Sequence, residues 1–354
     1  MKIGIMTFYF AHNYGAMLQA MALQEYLKNE GLNATIVPYY PEKFRIQYSI
    51  NPFTPGMRFK RRIINLLHFF PKYQQYRAFE EFKLKTMISE KTAEVREKKR
   101  FIDLIDSFDI VLYGSDQIWN VDLTYKDFFY FGESTNAIKI SFAASLGRST
   151  ISTEDIDKMG KCLREFAALS VREQSSREII SEVTHKSVFV SCDPVFLNDV
   201  NWWKKFECSV PGINRFVLLY LLEYDDKLIE LAKKYSGNEA IKLVCIHPTL
   251  DIKIPGVELL IGIGPKEFLY LIDNAECVFT NSFHAVSFCS IFRKKMVHKP
   301  NNKSPERTID LLSRWNLTDN SGIYDVDFSE LDYRMVDAFV EESKRFLLKN
   351  ISCQ

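Results

Sequence analysis

The chain has 354 residues, room for two domains of about 150 residues each and enough to bury a core without disulfide or metal staples. Its 46 Lys and Arg against 45 Asp and Glu leave a net charge of +1. With 47% hydrophobic and 26% charged residues, that balance excludes disordered, fibrous and broadly polyanion-binding chains. No apolar run approaches the roughly 18 residues that cross a bilayer. The seven cysteines form no Cys-x-x-Cys pair and sit mostly in apolar company, the usage of a reducing compartment, so the expected location is cytoplasmic. The six histidines show no metal-ligand spacing.

The first ten residues read as a buried strand, Lys2 to Phe10, rather than a leader, because His12 and Asn13 end the apolar run at once. Ala16, Ala20, Leu23 and Leu27 then recur on one face of a helix, Gly31 terminates it, and Ala34 to Tyr40 is the next strand. Strand–helix–strand of this length is a crossover unit of a parallel sheet. Further short strands are expected at Ile110–Tyr113, Ile138–Ala143, Leu169–Val171 and Val188–Ser191. A second series runs Phe216–Leu222, Leu243–His247, Val257–Ile261, Cys277–Thr280 and Lys295–His298. Asn201–Glu207 and Val210–Asn214 read as a linker, and Ser329–Leu348 as a closing helix. The expected fold class is α/β, two Rossmann-like domains with a central cleft. The units are residues 1–207, with a basic helical insertion at about 56–105, then 208–328, then a helix over 329–354 packing back on the first unit.

Between Arg58 and Arg100 lie thirteen Lys and Arg but five Asp and Glu, interleaved with Ile63, Ile64, Leu66, Leu67, Phe69 and Phe70. One reading is a helical insertion with one packed and one solvated face. The other is a basic amphipathic surface for anionic lipid or a lipid-pyrophosphate carrier at the inner face of the membrane. No basic–aromatic pattern marks a nucleic-acid partner.

Ligands of parallel α/β sheets bind beyond the carboxyl ends of the strands, and five polar clusters fall there. They are His12-Asn13-Tyr14-Gly15, Gly114-Ser115-Asp116-Gln117-Ile118-Trp119-Asn120, Ser141–Gly147, Val171-Arg172-Glu173 and Thr280-Asn281-Ser282-Phe283-His284. Each also has a purely structural reading. Asn13 or Ser282 caps a helix, Asp116 braces a turn, Arg172 and Glu173 pair with other surface charges, and His284 is a satisfied structural histidine. Their shared sheet edge favours a common ligand. There is no P-loop, Gly262-Ile263-Gly264 lacks the third glycine of a dinucleotide loop, and no Gly-x-Ser-x-Gly elbow exists.

These clusters, with Leu18-Gln19 and Asp193-Pro194-Val195-Phe196-Leu197, occur in an order that resembles the polysaccharide pyruvyl transferase family, from about residue 3 to 317. The resemblance implies a GT-B-like fold. It also implies transfer of pyruvyl from phosphoenolpyruvate onto two hydroxyls of a sugar as a cyclic ketal, in capsule, exopolysaccharide or cell-wall glycan assembly. By position Arg172 and His284 match the family's donor-gripping arginine and histidine. Many relatives carry arginine where this chain has Ser282, so Arg307 is the candidate for the second positive charge. Asn281 and Ser282 complete the expected donor set.

His284 is the expected acid/base, with Asp116 a partner on the acceptor side. The acceptor set is His12, Asn13, Tyr14, Ser115, Asp116, Gln117, Trp119 and Ser145, and the acceptor is a sugar or lipid-linked oligosaccharide. No metal or cofactor is expected beyond phosphoenolpyruvate as co-substrate. Two rivals stay open: a GT-B-like glycosyltransferase using a nucleotide sugar, and a non-catalytic glycan-binding relative.

Overall fold

The first apolar run leaves the sheet early. Strand β1 spans Lys2–Met6, and Phe8 and Phe10 turn instead into an aromatic cluster with Tyr40, Phe44 and Tyr130. The computed structural model describes residues 1–88, 94–147, 151–247, 253–319 and 321–353. β1 pairs in parallel with β2 (Asn33–Ile36) and β3 (Ile110–Tyr113), and β3 with β4 (Ile138–Ser141). Bridges from Ile140 to Ala168 and from Ala144 to Val171 carry the sheet to β5 (Leu169–Val171), which pairs with β6 (Val188–Val190).

A second sheet contains β7 (Phe216–Tyr220), β8 (Lys242–Ile246), β9 (Glu258–Leu259), β10 (Cys277–Thr280), β11 (Lys295–His298) and β12 (Tyr324–Asp327). Its order is β12-β11-β10-β7-β8-β9, parallel except for β12. β12 is absent from the sequence expectation because Tyr-Asp-Val-Asp is too short and too acidic to read as a strand. It pairs as an edge strand, register His298 to Tyr324.

Register aligns the strand ends. Met6, Tyr113 and Ser141 stand side by side in one sheet, and Tyr220, Thr280 and His298 in the other. Every loop that leaves these ends therefore emerges at one edge of its sheet. Apolar packing joins the halves: the Tyr14 ring stacks on Phe268 at 4.5 Å and its hydroxyl donates to the Ile263 carbonyl.

Two expectations need correction. The supposed linker contains a helix, Val200–Lys204, capped by Asp199, and its Trp203 is fully buried against Phe288. The closing helix starts later, at Arg334, and runs to Ser352 after a short turn at Phe328–Glu330. It packs on the first half, where Phe346 stacks on Phe189 and Ser343 Oγ accepts from the Cys192 N–H. The basic segment is helical over Phe59–Leu67, Phe69–Thr86 and Lys98–Ile105, and its residues 89–93 lie outside the described residues.

Candidate active site

Asp193 organises the site. It follows β6 and begins a short turn, Pro194–Leu197, whose Val195 N–H donates to its Oδ1. Its Oδ2 accepts from Arg172 Nη1 at 2.7 Å and from Ser115 Oγ at 3.2 Å. Burial would raise this carboxyl, yet His284 and the Arg172 guanidinium hold it well below the usual carboxylate range. Arg172, one residue beyond β5, is buried among three carboxylates. Its Nη2 lies 3.7 Å from Asp116 Oδ1 and its Nε 3.7 Å from Glu173 Oε2. Burial works to lower the guanidinium's pKa, but Asp193, Asp116 and Glu173 together raise it.

The Nε and Nη2 atoms of Arg172 have no hydrogen-bond partner among the described residues, and neither has Glu173 Oε2 or His284 Nε2. Leaving a buried donor unmade costs about 1–3 kcal/mol, and native structures keep few such groups. Nε and Nη2 form one edge of the guanidinium fork, the shape that receives a carboxylate or phosphate through two parallel bonds.

The second half supplies the facing wall. β10 ends at Thr280, and Asn281 then ties two loops together, accepting from the Leu222 N–H and donating to the Glu223 carbonyl. Ser282 caps the helix Phe283–Ile291. The cap directs Phe283 and His284 at the first half. The Arg172 guanidinium lies over the Phe283 ring at 4.3 Å, and Arg307 approaches the same ring at 6.0 Å. His284 Nε2 stands 3.6 Å from Asp193 Oδ2. The imidazole fits because its neighbour on the helix Tyr14–Asn29 is Gly15; a Cβ there would lie 1.9 Å from Nδ1.

Arg307 is buried and donates from Nε and Nη2 to Ser304 Oγ. Burial and the nearby Arg172 push its pKa down to about 10, so it stays positive at neutral pH. It opens on a cleft of about 710 Å³ between the halves, lined by Gln117, Asn120 and Gly147 on one side and Leu222, Glu223 and Asn301 on the other. No group of three His, Cys, Asp or Glu among the described residues could hold a metal ion.

The residues singled out from sequence separate into two groups. Arg172, His284, Ser115 and Arg307 gather around Asp193 or the Phe283 ring, Asp116 stands beside Arg172, and Gln117 lines the cleft. Arg172 and Glu173 are buried, which overturns the surface-pair reading. The others serve the scaffold. Trp119 is fully enclosed and its indole donates to the Tyr130 carbonyl, so no ring face is left for a sugar. Tyr14 is spent on the contact between halves, Asn13 caps its helix, and Asn281 and Ser282 are committed to backbone.

Ser145 Oγ donates to Glu173 Oε1, which positions that carboxylate. His12 faces another cavity, of about 400 Å³, and pairs with Glu80 at 3.2 Å. Asp193 and Glu173 are the functional groups that sequence reasoning quoted without assigning a role. The signal for Asp193 was an acid shortly after a buried strand and directly before a proline.

Among curated proteins no relative matches. A UDP-N-acetylglucosamine 2-epimerase candidate from Listeria monocytogenes has a similar structure, with a TM-score of 0.52 at 11% identity over 98% of this chain and 94% of that one. UDP-GlcNAc 2-epimerase of Methanocaldococcus jannaschii scores 0.48 at 13% identity over 100% of both chains. The Escherichia coli heptosyltransferase WaaC with ADP scores 0.40 at 11% identity over 97% and 100%. The shared architecture, two Rossmann-like sheets facing each other across a cleft, is GT-B-like. The family model described as polysaccharide pyruvyl transferase matches residues 13–303. That span begins at the cap beside Gly15 and encloses Asp116, Arg172, Asp193 and His284, and the chain belongs to the polysaccharide pyruvyl transferase family.

Proposed function

We propose that the protein transfers pyruvyl from phosphoenolpyruvate to two hydroxyls of a sugar, forming a cyclic ketal and releasing phosphate. One observation carries the reading: Arg172 Nη1 and His284 Nε2, from opposite halves, converge on one carboxylate, Asp193, and the buried Nε–Nη2 edge of the same guanidinium is left without a hydrogen-bond partner among the described residues. A guanidinium edge suits the donor's carboxylate or phosphate. Arg307 and the positive end of the helix Phe283–Ile291 suit the other anionic group.

In this reading His284 delivers a proton to the methylene carbon while ionised Asp193 steadies the imidazolium. The adjoining carbon becomes oxocarbenium-like, one sugar hydroxyl adds, the bond to the phosphate oxygen breaks, and the second hydroxyl closes the ketal. One hydroxyl proton ends on the new methyl group and the other on phosphate. Asp116, beside Arg172 and next to cleft-lining Gln117, is suited to take a hydroxyl proton. The acceptor is a sugar of a surface or cell-wall glycan, free or lipid-linked.

The test is purified protein with phosphoenolpyruvate and a panel of glycosides, scored for phosphate release and for a product that has gained pyruvate and lost water. Thermal stabilisation by nucleotide sugars but not by phosphoenolpyruvate would replace this reading with glycosyl transfer. Saturable sugar binding without turnover across the panel would replace it with a binding role.

A further inference from the structure

The helix Phe59–Leu67 is turned inside out for a protein in water. A surface helix normally points its apolar stripe inward. Here the buried residue is Asn65, whose amide donates to the Ser49 carbonyl, and half-buried Arg62 donates to the Met57 and Thr54 carbonyls. The outward positions are apolar: Phe59 is 77% exposed, Leu66 57%, Leu67 75% and Phe70, at the start of the next helix, 78%. Phe53, Ile63, Phe69 and Tyr73 are exposed beside them. Contiguous exposed apolar surface of this kind marks an interaction site.

Charge identifies the occupant. From Arg58 to Phe79 the chain carries six Lys and Arg and no Asp or Glu, in a protein whose total is +1. Arg58, Lys60, Arg61 and Arg77 are exposed around the apolar row. We infer that the helices Phe59–Leu67 and Phe69–Thr86 form a docking surface for an anionic lipid bilayer, with the phenyl and leucyl side chains in the acyl boundary and the basic residues at the headgroups. A second copy of the chain suits the face poorly, because a two-fold contact would oppose one basic patch with another. Among the described residues no helix is long and apolar enough to cross a membrane, so this contact is peripheral.

The surface has a direct connection to the chemistry. The 400 Å³ cavity at its base is lined by Arg61, Ile64, Asn65 and Lys72 from these helices and by Tyr48 and His12 from the body. His12 precedes the helix Tyr14–Asn29, whose Gly15 abuts His284, so the cavity and the site are three residues apart along one segment of chain. On the transfer reading, a headgroup-linked acceptor held at the membrane would meet the protein on the His12 side.

The experiment is co-flotation of the full chain with phosphatidylcholine vesicles and with mixed phosphatidylcholine–phosphatidylglycerol vesicles, at low and high salt. Expected is partition onto the mixed vesicles roughly tenfold stronger than onto phosphatidylcholine, weakened by salt. Leu67→Ser combined with Phe70→Ser should lose it by about tenfold or more, and Lys60→Gln should weaken it severalfold. All three positions are exposed, and matched thermal unfolding checks the fold. Phe70→Trp should show a blue-shifted emission that brominated lipid quenches. Equal partition onto both vesicle types, or a double variant that binds like the parent, would overturn the inference. So would a solution dimer that the double variant breaks. None of these measurements involves turnover, so failure of the transfer reading leaves this result separately visible.

Discussion

Gly15 and His284, from opposite halves of the chain, are in contact so close that a Cβ on the first would lie 1.9 Å from Nδ1 of the second. The imidazole is wedged between a helix backbone and the Asp193 carboxylate.

Gly15→Ala should therefore displace His284. We expect kcat to fall by about 10²-fold or more, the scale of losing a positioned acid/base, with KM for phosphoenolpyruvate changed far less. Gly237→Ala is the control, because a Cβ there meets nothing within 4 Å. Equal kcat in both variants would remove His284 from the proton step. His284→Ala should abolish turnover outright.

Arg172→Lys keeps the charge but loses the fork. The ammonium cannot present two parallel donors, so we expect phosphoenolpyruvate turnover to drop by about 10²–10³-fold. Asp193→Asn is more severe, because it leaves the guanidinium buried without its closest anion; breaking such a pair costs about 3–5 kcal/mol. Chemical unfolding and steady-state rates check both. Asp193 is depressed when folded, so its stabilisation is complete above the ordinary pKa near 3.9 and is lost as pH falls through the lower folded value.

Among the described residues Arg307 donates its hydrogen bonds to Ser304, and it stays charged with a pKa of about 10. Arg307→Ala should raise KM for phosphoenolpyruvate by about tenfold or more, the loss of one charge-assisted contact of about 1.5–3 kcal/mol, and Arg307→Lys should recover part of it. An unchanged KM in Arg307→Ala would move the second positive charge elsewhere.

His298 should set the acid limb of stability. It is fully buried, with Nδ1 against the Thr280 carbonyl, and burial lowers its pKa to about 4. Between that value and the unfolded value near 6.5, the unfolded chain binds the extra proton. Stability attributable to His298 is therefore full above about pH 6.5 and declines toward pH 4, by roughly 3 kcal/mol. Urea unfolding at pH 7 and 4.5 should show a smaller pH difference in His298→Gln, which cannot titrate.

The parallel strands of both sheets were legible, the antiparallel edge strand β12 was not, because buried parallel strands leave short apolar runs between helical periods. Ends were legible only to a few residues. Thr7–Phe10 reads as strand by hydropathy, but its rings find aromatic partners off the sheet. The site was half legible for a similar reason. Polar residues at strand ends announce an edge, but sequence does not say which of them turn inward. Ser145 bonds Glu173 and Trp119 enters the core, choices made by packing that no spacing encodes. Asp193 was quoted with its motif but given no role, because Pro194 to Leu197 behind it form a turn and spacing alone does not aim its carboxylate at Arg172.

The chain passes between its two halves twice, once through the helix Val200–Lys204 and again when the segment after β12 leads into the helix that lies against Phe189. Two such crossings act as a double fastening. A chain cut at the first crossing would still be held together by the closing helix, which lies against Phe189 on the first half.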